Sequence, residues 1–274
     1  MKKLVILLFS VVLIACGYQS SFAEEILKLA TTTSTYETGL LDYIFPPFEK
    51  KHDVKIHIIS VGTGKAIKLG ENGDVDIILV HARAAEDKFV NDGYGINRRD
   101  VMYNDFLILG PKSDPARISG LNNAAGAFDK IAGIKAVFVS RGDESGTHKK
   151  EKYLWSKTGI VPGGSWYLEA GQGMAATLRM ADEKDAYTMV DRATYLFNKD
   201  TIRLAVMVEG DKVLFNPYGV IAVNPYKYPH VKYELSMSLI AWLTSPECQK
   251  MINEYKKHGN NMYYPNAANP IIAE

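Results

Sequence analysis

Short apolar runs alternate along this chain with amphipathic stretches of helical spacing, and the alternation runs through twice. From residue 25 onward "ILKLATT", "VKIHIIS", "VDIILVH" and "FLILG" read as strands. Between them lie helical patterns at 38–50, from 63 to 69 and at 86–91, with Pro46 and Pro47 set to break or kink the first near its end. The pattern restarts with "KAVFVS", helices at 149–157 and 173–181, "AYTMV" and a short helix at 193–198. The strand-like "LAVMVEG" and "VLFNPYGVIAVN" follow, then closing helices at 231–243 and from Ser245-Pro246 to about 258. A βαβα order predicts an α/β fold with mainly parallel sheets covered by helices on both faces. A restart with no low-complexity linker predicts two lobes and a cleft, with "FLILG" and "GVIAVN" as the crossings between them.

The first residues stand apart from that pattern. A short basic start, Met1-Lys2-Lys3, precedes an apolar run from Leu4 to Ala15, too short for a membrane span of ~20 residues. Ser21-Phe22-Ala23 offers a signal-peptidase site, giving a signal peptide of 1–23. "LIAC" instead resembles a lipoprotein signal, giving a signal of 1–15 and a lipid on Cys16. Both readings export the protein, to the periplasm or its equivalent. Cys248 is then left without a disulfide partner and reads as a buried small apolar residue of a helix. One cysteine and scattered histidines give no metal-ligand spacing, so no metal site is expected. A net charge of +1 with no basic stripe gives no case for nucleic acid.

Three strand ends share a chemistry. After the first strand comes Thr31-Thr32-Thr33-Ser34-Thr35, after the second Gly62-Thr63-Gly64, and after "KAVFVS" the run "SRGDESGTHKKE" from Ser140 to Glu151. Each offers hydroxyls and the free N–H groups of a starting helix, where the helix dipole is positive. Any one of them suits an ordinary N-cap. Three at matching positions, where open α/β sheets bind ligands, point to an anion site. Arg141 adds a charged fork, with Asp143 near enough to hold its guanidinium. Ser145, Gly146 and Thr147 would donate from the helix start, while His148 would lie on the helix flank. A nucleotide P-loop does not fit, because Gly142 and Gly146 have neither its spacing nor its following Lys-Ser/Thr. A hydrolase using Ser145, His148 and Asp143 lacks a G-x-S-x-G elbow.

"TTTS" at Thr31 to Ser34 together with "SRGDESGTHKKE" resembles the tungstate-binding proteins of ABC importers, the TupA family. "DVDIILVHARAAEDKFV", "YNDFLILGP", "AYTMVDRATYL" and "NPYGVIAVNP" are similar to that family as well, so the resemblance spans almost all of the chain after the signal. It implies a two-lobed periplasmic-binding-protein fold of type II, with lobe I at 25–106 and 224–274 and lobe II at 107–223. It implies ligand donors at Thr33 and Ser34 from lobe I and at Arg141, Ser145, Gly146 and Thr147 from lobe II. Thr63 is added by its equivalent turn, and Asp191 and Thr194 of "VDRATY" are left open as cleft residues. The implied protein is a monomeric receptor, not an enzyme, without a cofactor, which hands tungstate to a membrane ABC permease.

Phosphate-binding relatives carry a similar R-x-D-x-S-G-T run. Protonated phosphate, however, needs a hydrogen-bond acceptor, and "VDIILVH" ends at His81 with no acid at the matching place. A site made of donors suits a fully deprotonated tetrahedral dianion: tungstate, molybdate or sulfate. Its affinity is expected to stay flat from mild acid upward. An enzyme acting on a phosphorylated substrate remains the alternative of a different class.

Overall fold

The computed structural model describes residues 24–268. Both cleavage readings and the lipid on Cys16 lie outside them. The first half of the chain runs β1 (Glu25–Thr32), α1 (Thr33–Glu37), α2 (Leu40–Ile44), α3 (Pro46–His52), β2 (Val54–Val61), α4 (Thr63–Asn72), β3 (Ile77–Val80), α5 (Arg83–Asn91) and β4 (Gly95–Gly110). Then come α6 (Ala124–Gly133), β5 (Phe138–Ser140), α7 (Gly146–Thr158), β6 (Tyr167–Glu169), α8 (Met174–Glu183), β7 (Tyr187–Asp191), α9 (Arg192–Asn198), β8 (Ala205–Val208) and β9 (Phe215–Val223). The chain closes with α10 (Tyr233–Leu243), α11 (Pro246–Glu254), a hairpin of β10 (Lys256–Lys257) and β11 (Asn260–Asn261), and β12 (Tyr264–Pro265).

The main sheet has the order β2-β1-β3-β9-β4-β7-β5-β6 and divides within β4. Residues up to Asp105 pair with β9, and from Phe106 the strand pairs with β7 and β8. On each side three strands run parallel, β2-β1-β3 and β6-β5-β7. The crossing strands lie antiparallel to their neighbours, so each half is a parallel trio closed by reversed strands.

Both faces of each half are buried, as the continuous apolar runs require. Alternate residues of a strand point to opposite faces. Leu27, Leu29, Ile77 and Leu79 therefore enter one core, with α2, α3, α10 and α11, while Ala30, Ile78 and Val80 enter another with α4 and α5. In the second half Phe106, Ile108 and Phe138 pack with α6 and α7, and Leu107, Leu109 and Val139 pack with α8. Cys248 is fully buried in the first core, and burial pushes its thiol up to about 12.

Several sequence expectations change. The helix expected at 38–50 is three short ones: Gly39 takes a left-handed φ of 75° between α1 and α2, and Pro46 starts α3. α6 and β6 were not anticipated. β4 begins eleven residues before "FLILG", because the polar "GINRRDVMYND" pairs with β9 along its length. The expected lobe II of 107–223 is too long at its end. β9 pairs with β3 from Ile77↔Ala222 to Val80↔Gly219, so 215–223 belong to the first half-sheet. The second crossing therefore lies at Leu214–Phe215, just ahead of "GVIAVN". Apolar character marked the strand, but its partner lies more than a hundred residues away.

Candidate functional site

The ends of β1, β3 and β5 and the starts of α1, α4 and α7 converge between the two half-sheets. They enclose a small cavity lined by Thr32, Thr33, Ser34, Gly62, Thr63, His81, Arg141, Ser145, Gly146 and Thr147. All seven residues expected to bind the ligand are among them: Thr33, Ser34, Thr63, Arg141, Ser145, Gly146 and Thr147. Segments more than a hundred residues apart in sequence meet because both parallel trios point their carboxyl ends at the same gap.

Each donor is held by local chemistry. Thr32 caps α1, accepting from the Thr35 N–H at 3.4 Å. Ser145 caps α7 by accepting from the His148 N–H at 3.2 Å, which leaves its own hydroxyl proton to donate. The N–H groups of Gly146 and Thr147 stand in the first helical turn, which has no intrahelical acceptors. α4 starts at Thr63 with no side-chain cap at Gly62, so its leading N–H groups are also uncapped.

Arg141 is 6% exposed and its Nε, fully buried, has no hydrogen-bond partner within the protein. One Nη donates to Asp143. Asp143 also accepts from the Ser145 N–H at 3.2 Å. Burial works against its charge, but the bonds from Ser145 and the Arg141 guanidinium outweigh it and hold the carboxyl below the usual range. Asp143 thus faces Arg141 and is not part of the cavity wall, which stays free of carboxylates. Behind the turn, buried Glu151 accepts from Ser140 Oγ at 2.7 Å, Trp155 Nε1 at 3.0 Å and Tyr167 at 2.8 Å. Ser140 Oγ in turn accepts from the Gly142 N–H at 3.2 Å, fixing the loop that carries Arg141.

Three wall residues were not assigned: Thr32 and Gly62, which belong to turns that the sequence singled out, and His81. Its Nδ1 lies 2.9 Å from Asn216 Oδ1, its Nε2 3.3 Å from Thr32 Oγ1, and its ring stacks on Tyr218 at 4.7 Å. Burial, with Arg141 nearby, pushes its pKa down to about 4 in spite of the Asn216 bond. The only sequence hint was its place after β3, equivalent to the turns after β1 and β2. Asp191 and Thr194 are absent from the cavity wall. Asp191 caps α9 through Thr194 N–H at 2.9 Å and Thr194 Oγ1 at 2.7 Å. Burial raises its carboxyl, with Thr194 and Arg141 opposing. His148 is buried on α7 and accepts at Nδ1 from the Glu144 N–H at 3.0 Å. A larger cavity of about 580 Å³ adjoins the site across His81 and Gly146, and Lys149, Lys150 and Tyr153 line its far side.

The arrangement can surround a small anion with hydroxyls, helix N–H groups and one guanidinium.

The PBP superfamily domain matches residues 20–247. The tungstate-binding protein TupA of Peptoclostridium acidaminophilum is 44% identical over 285 aligned positions, covering 98% of this chain and all of that protein. The chain belongs to the PBP superfamily and, within it, to the TupA family. The crystal structure of the tungstate ABC transporter from Geobacter sulfurreducens matches with a TM-score of 0.79 and 56% identity, covering 85% of this chain and all of that one. The tungstate-binding protein TupA of Desulfovibrio alaskensis G20 matches at 0.78 and 48%, covering 89% of this chain and 99% of its own. Both structures share the two-lobed fold described above over most of this chain.

Proposed function

We propose that this protein is an extracytoplasmic receptor that captures tungstate between its two lobes and delivers it to a membrane ABC permease. It makes and breaks no bond and needs no cofactor. One observation carries the oxyanion reading: a buried arginine whose Nε has no protein partner faces a cavity walled by hydroxyls and helix N–H groups. An unmet buried charged donor is costly unless a ligand meets it. An oxyanion bound there would accept from Thr33, Ser34, Thr63, Ser145, Gly146 and Thr147 as well. The choice of tungstate over molybdate or sulfate is supported by the names of the relatives. No described helix is long and apolar enough to cross a membrane, so membrane contact would come through the permease or through a lipid on Cys16.

Calorimetric titration of the purified, anion-stripped protein with tungstate, molybdate, sulfate and phosphate tests this reading. Tight tungstate binding and weak phosphate binding are expected. Absence of heat with all four would refute it.

A further inference from the structure

His81 is built differently from the other wall residues. Asn216 donates through Nδ2 to Asn104 Oδ1 at 2.7 Å, which turns its own Oδ1 toward His81 Nδ1. That nitrogen therefore carries a proton. The other, Nε2, faces the hydroxyl oxygen of Thr32, which can accept as well as donate. Both ring nitrogens thus face oxygens able to accept, and a doubly protonated ring would leave no N–H unmet. Thr32 Oγ1 lies 3.3 Å from Ser34 Oγ. Thr35 Oγ1 lies nearer, at 2.6 Å, so with a proton on Nε2 the Thr32 hydroxyl accepts from the ring and turns its own proton to Thr35 or to Ser34 at the cavity wall.

What holds the ring neutral is burial and the positive charge of Arg141. A dianion in the cavity acts against both, supplying two negative charges beside the ring. We propose that His81 is a second cation of the anion site, taking up one proton as a doubly charged oxyanion closes in, and so favouring dianions over monoanions of the same shape. This rests on the oxyanion reading of the cavity and adds to it a residue that reads ligand charge.

The other charged groups around the ring do not supply the missing charge. Arg141 is shared with Asp143. Asp191 is an acid, committed to Thr194. The phenols of Tyr218 and Tyr263 are held neutral by burial. On the outer side Arg83 pairs with Asp87 at 2.8 Å, Lys149 is exposed, and Lys150 donates to the Val213 carbonyl at 2.9 Å.

The test is calorimetry of the full chain with micromolar tungstate and with perrhenate, a tetrahedral oxyanion of similar size and single charge. Each is titrated in buffers of different ionisation enthalpy, so that proton uptake is read directly. The ring's pKa is low when free and raised when bound, so uptake occurs between the two values. Tungstate affinity should rise as pH falls through that window, by up to about tenfold per pH unit. Tungstate should take up close to one proton per site on the acid side of neutrality, and perrhenate should bind weakly with none. His81→Gln should bind tungstate more weakly, without uptake and without pH dependence. Tight tungstate binding with no uptake in the natural protein would overturn the proposal. So would uptake that persists in His81→Gln but disappears in Asp191→Asn or His148→Gln. Absence of any heat with tungstate would instead sink the oxyanion reading on which the proposal stands.

Discussion

Gly146 stands at the start of α7 with its α-carbon turned toward His81 and Thr63 on the other half of the molecule. A methyl group placed there would lie 3.1 Å from His81 Cε1, 3.3 Å from His81 Nδ1 and 3.5 Å from Thr63 Oγ1. The first two distances are closer than ordinary contact, and the imidazole cannot yield, pinned by Asn216 on one edge and Tyr218 on one face. Gly146→Ala therefore forces the two halves apart by a few tenths of an ångström when they close. Overpacking of this kind costs about 1–3 kcal/mol, a loss of roughly 5- to 150-fold in anion affinity. The backbone N–H is kept, so the loss does not come from a missing donor. The backbone of Gly146 is not left-handed, and alanine in a helix's first turn should leave the open, unliganded protein equally stable or about 0.4–1 kcal/mol more so. Calorimetry with tungstate and a thermal melt without anion separate the two effects. Affinity within twofold of the natural protein would refute the steric argument. A lower melting temperature without anion would show that the contact belongs to the resting fold and not to closure.

Arg141→Ala should cost about 2–4 kcal/mol in tungstate affinity, the scale for losing a buried charged partner; near-natural binding by calorimetry would remove the guanidinium from the site. Ser34→Ala and Thr147→Ala should each weaken binding by roughly 1–2 kcal/mol, and unchanged affinity in both would contradict a cage built from both lobes. Glu151→Gln turns an amide N–H₂ toward at least one of three donors and should lower stability by about 1–3 kcal/mol in urea denaturation; an unchanged midpoint would mean that the three bonds to Glu151 do not hold the Arg141 loop.

The strand-and-helix alternation was legible because the inner strands β3, β5 and β7 are buried on both faces, the outer β2 carries apolar residues at alternate positions, and each flanking helix is apolar on one face. β4 was half hidden because Arg98, Arg99 and Asp100 make it look like a loop. Arg98 and Asp100 bond each other at 2.9 Å, Arg98 finds the buried Glu86 at 2.8 Å only in three dimensions, and Arg99 stays exposed. The donor turns could be read because Ser, Thr and Gly at helix starts carry a local signal. His81 could not, since what defines it is Asn216, 135 positions away. The expectation of pH-independent affinity was drawn for a wall of hydroxyls and one arginine, without the imidazole that the structure places there.

The two crossings, at Asp105–Phe106 and Leu214–Phe215, lie side by side, since Asp105 pairs directly with Phe215. Two connections joined in this way can flex together but cannot slide past each other. That geometry suits a hinge, about which the halves would swing as a book does about its spine. In the proposed receptor, occupancy of the small cavity would then be written into a single angle, legible to a membrane partner from outside.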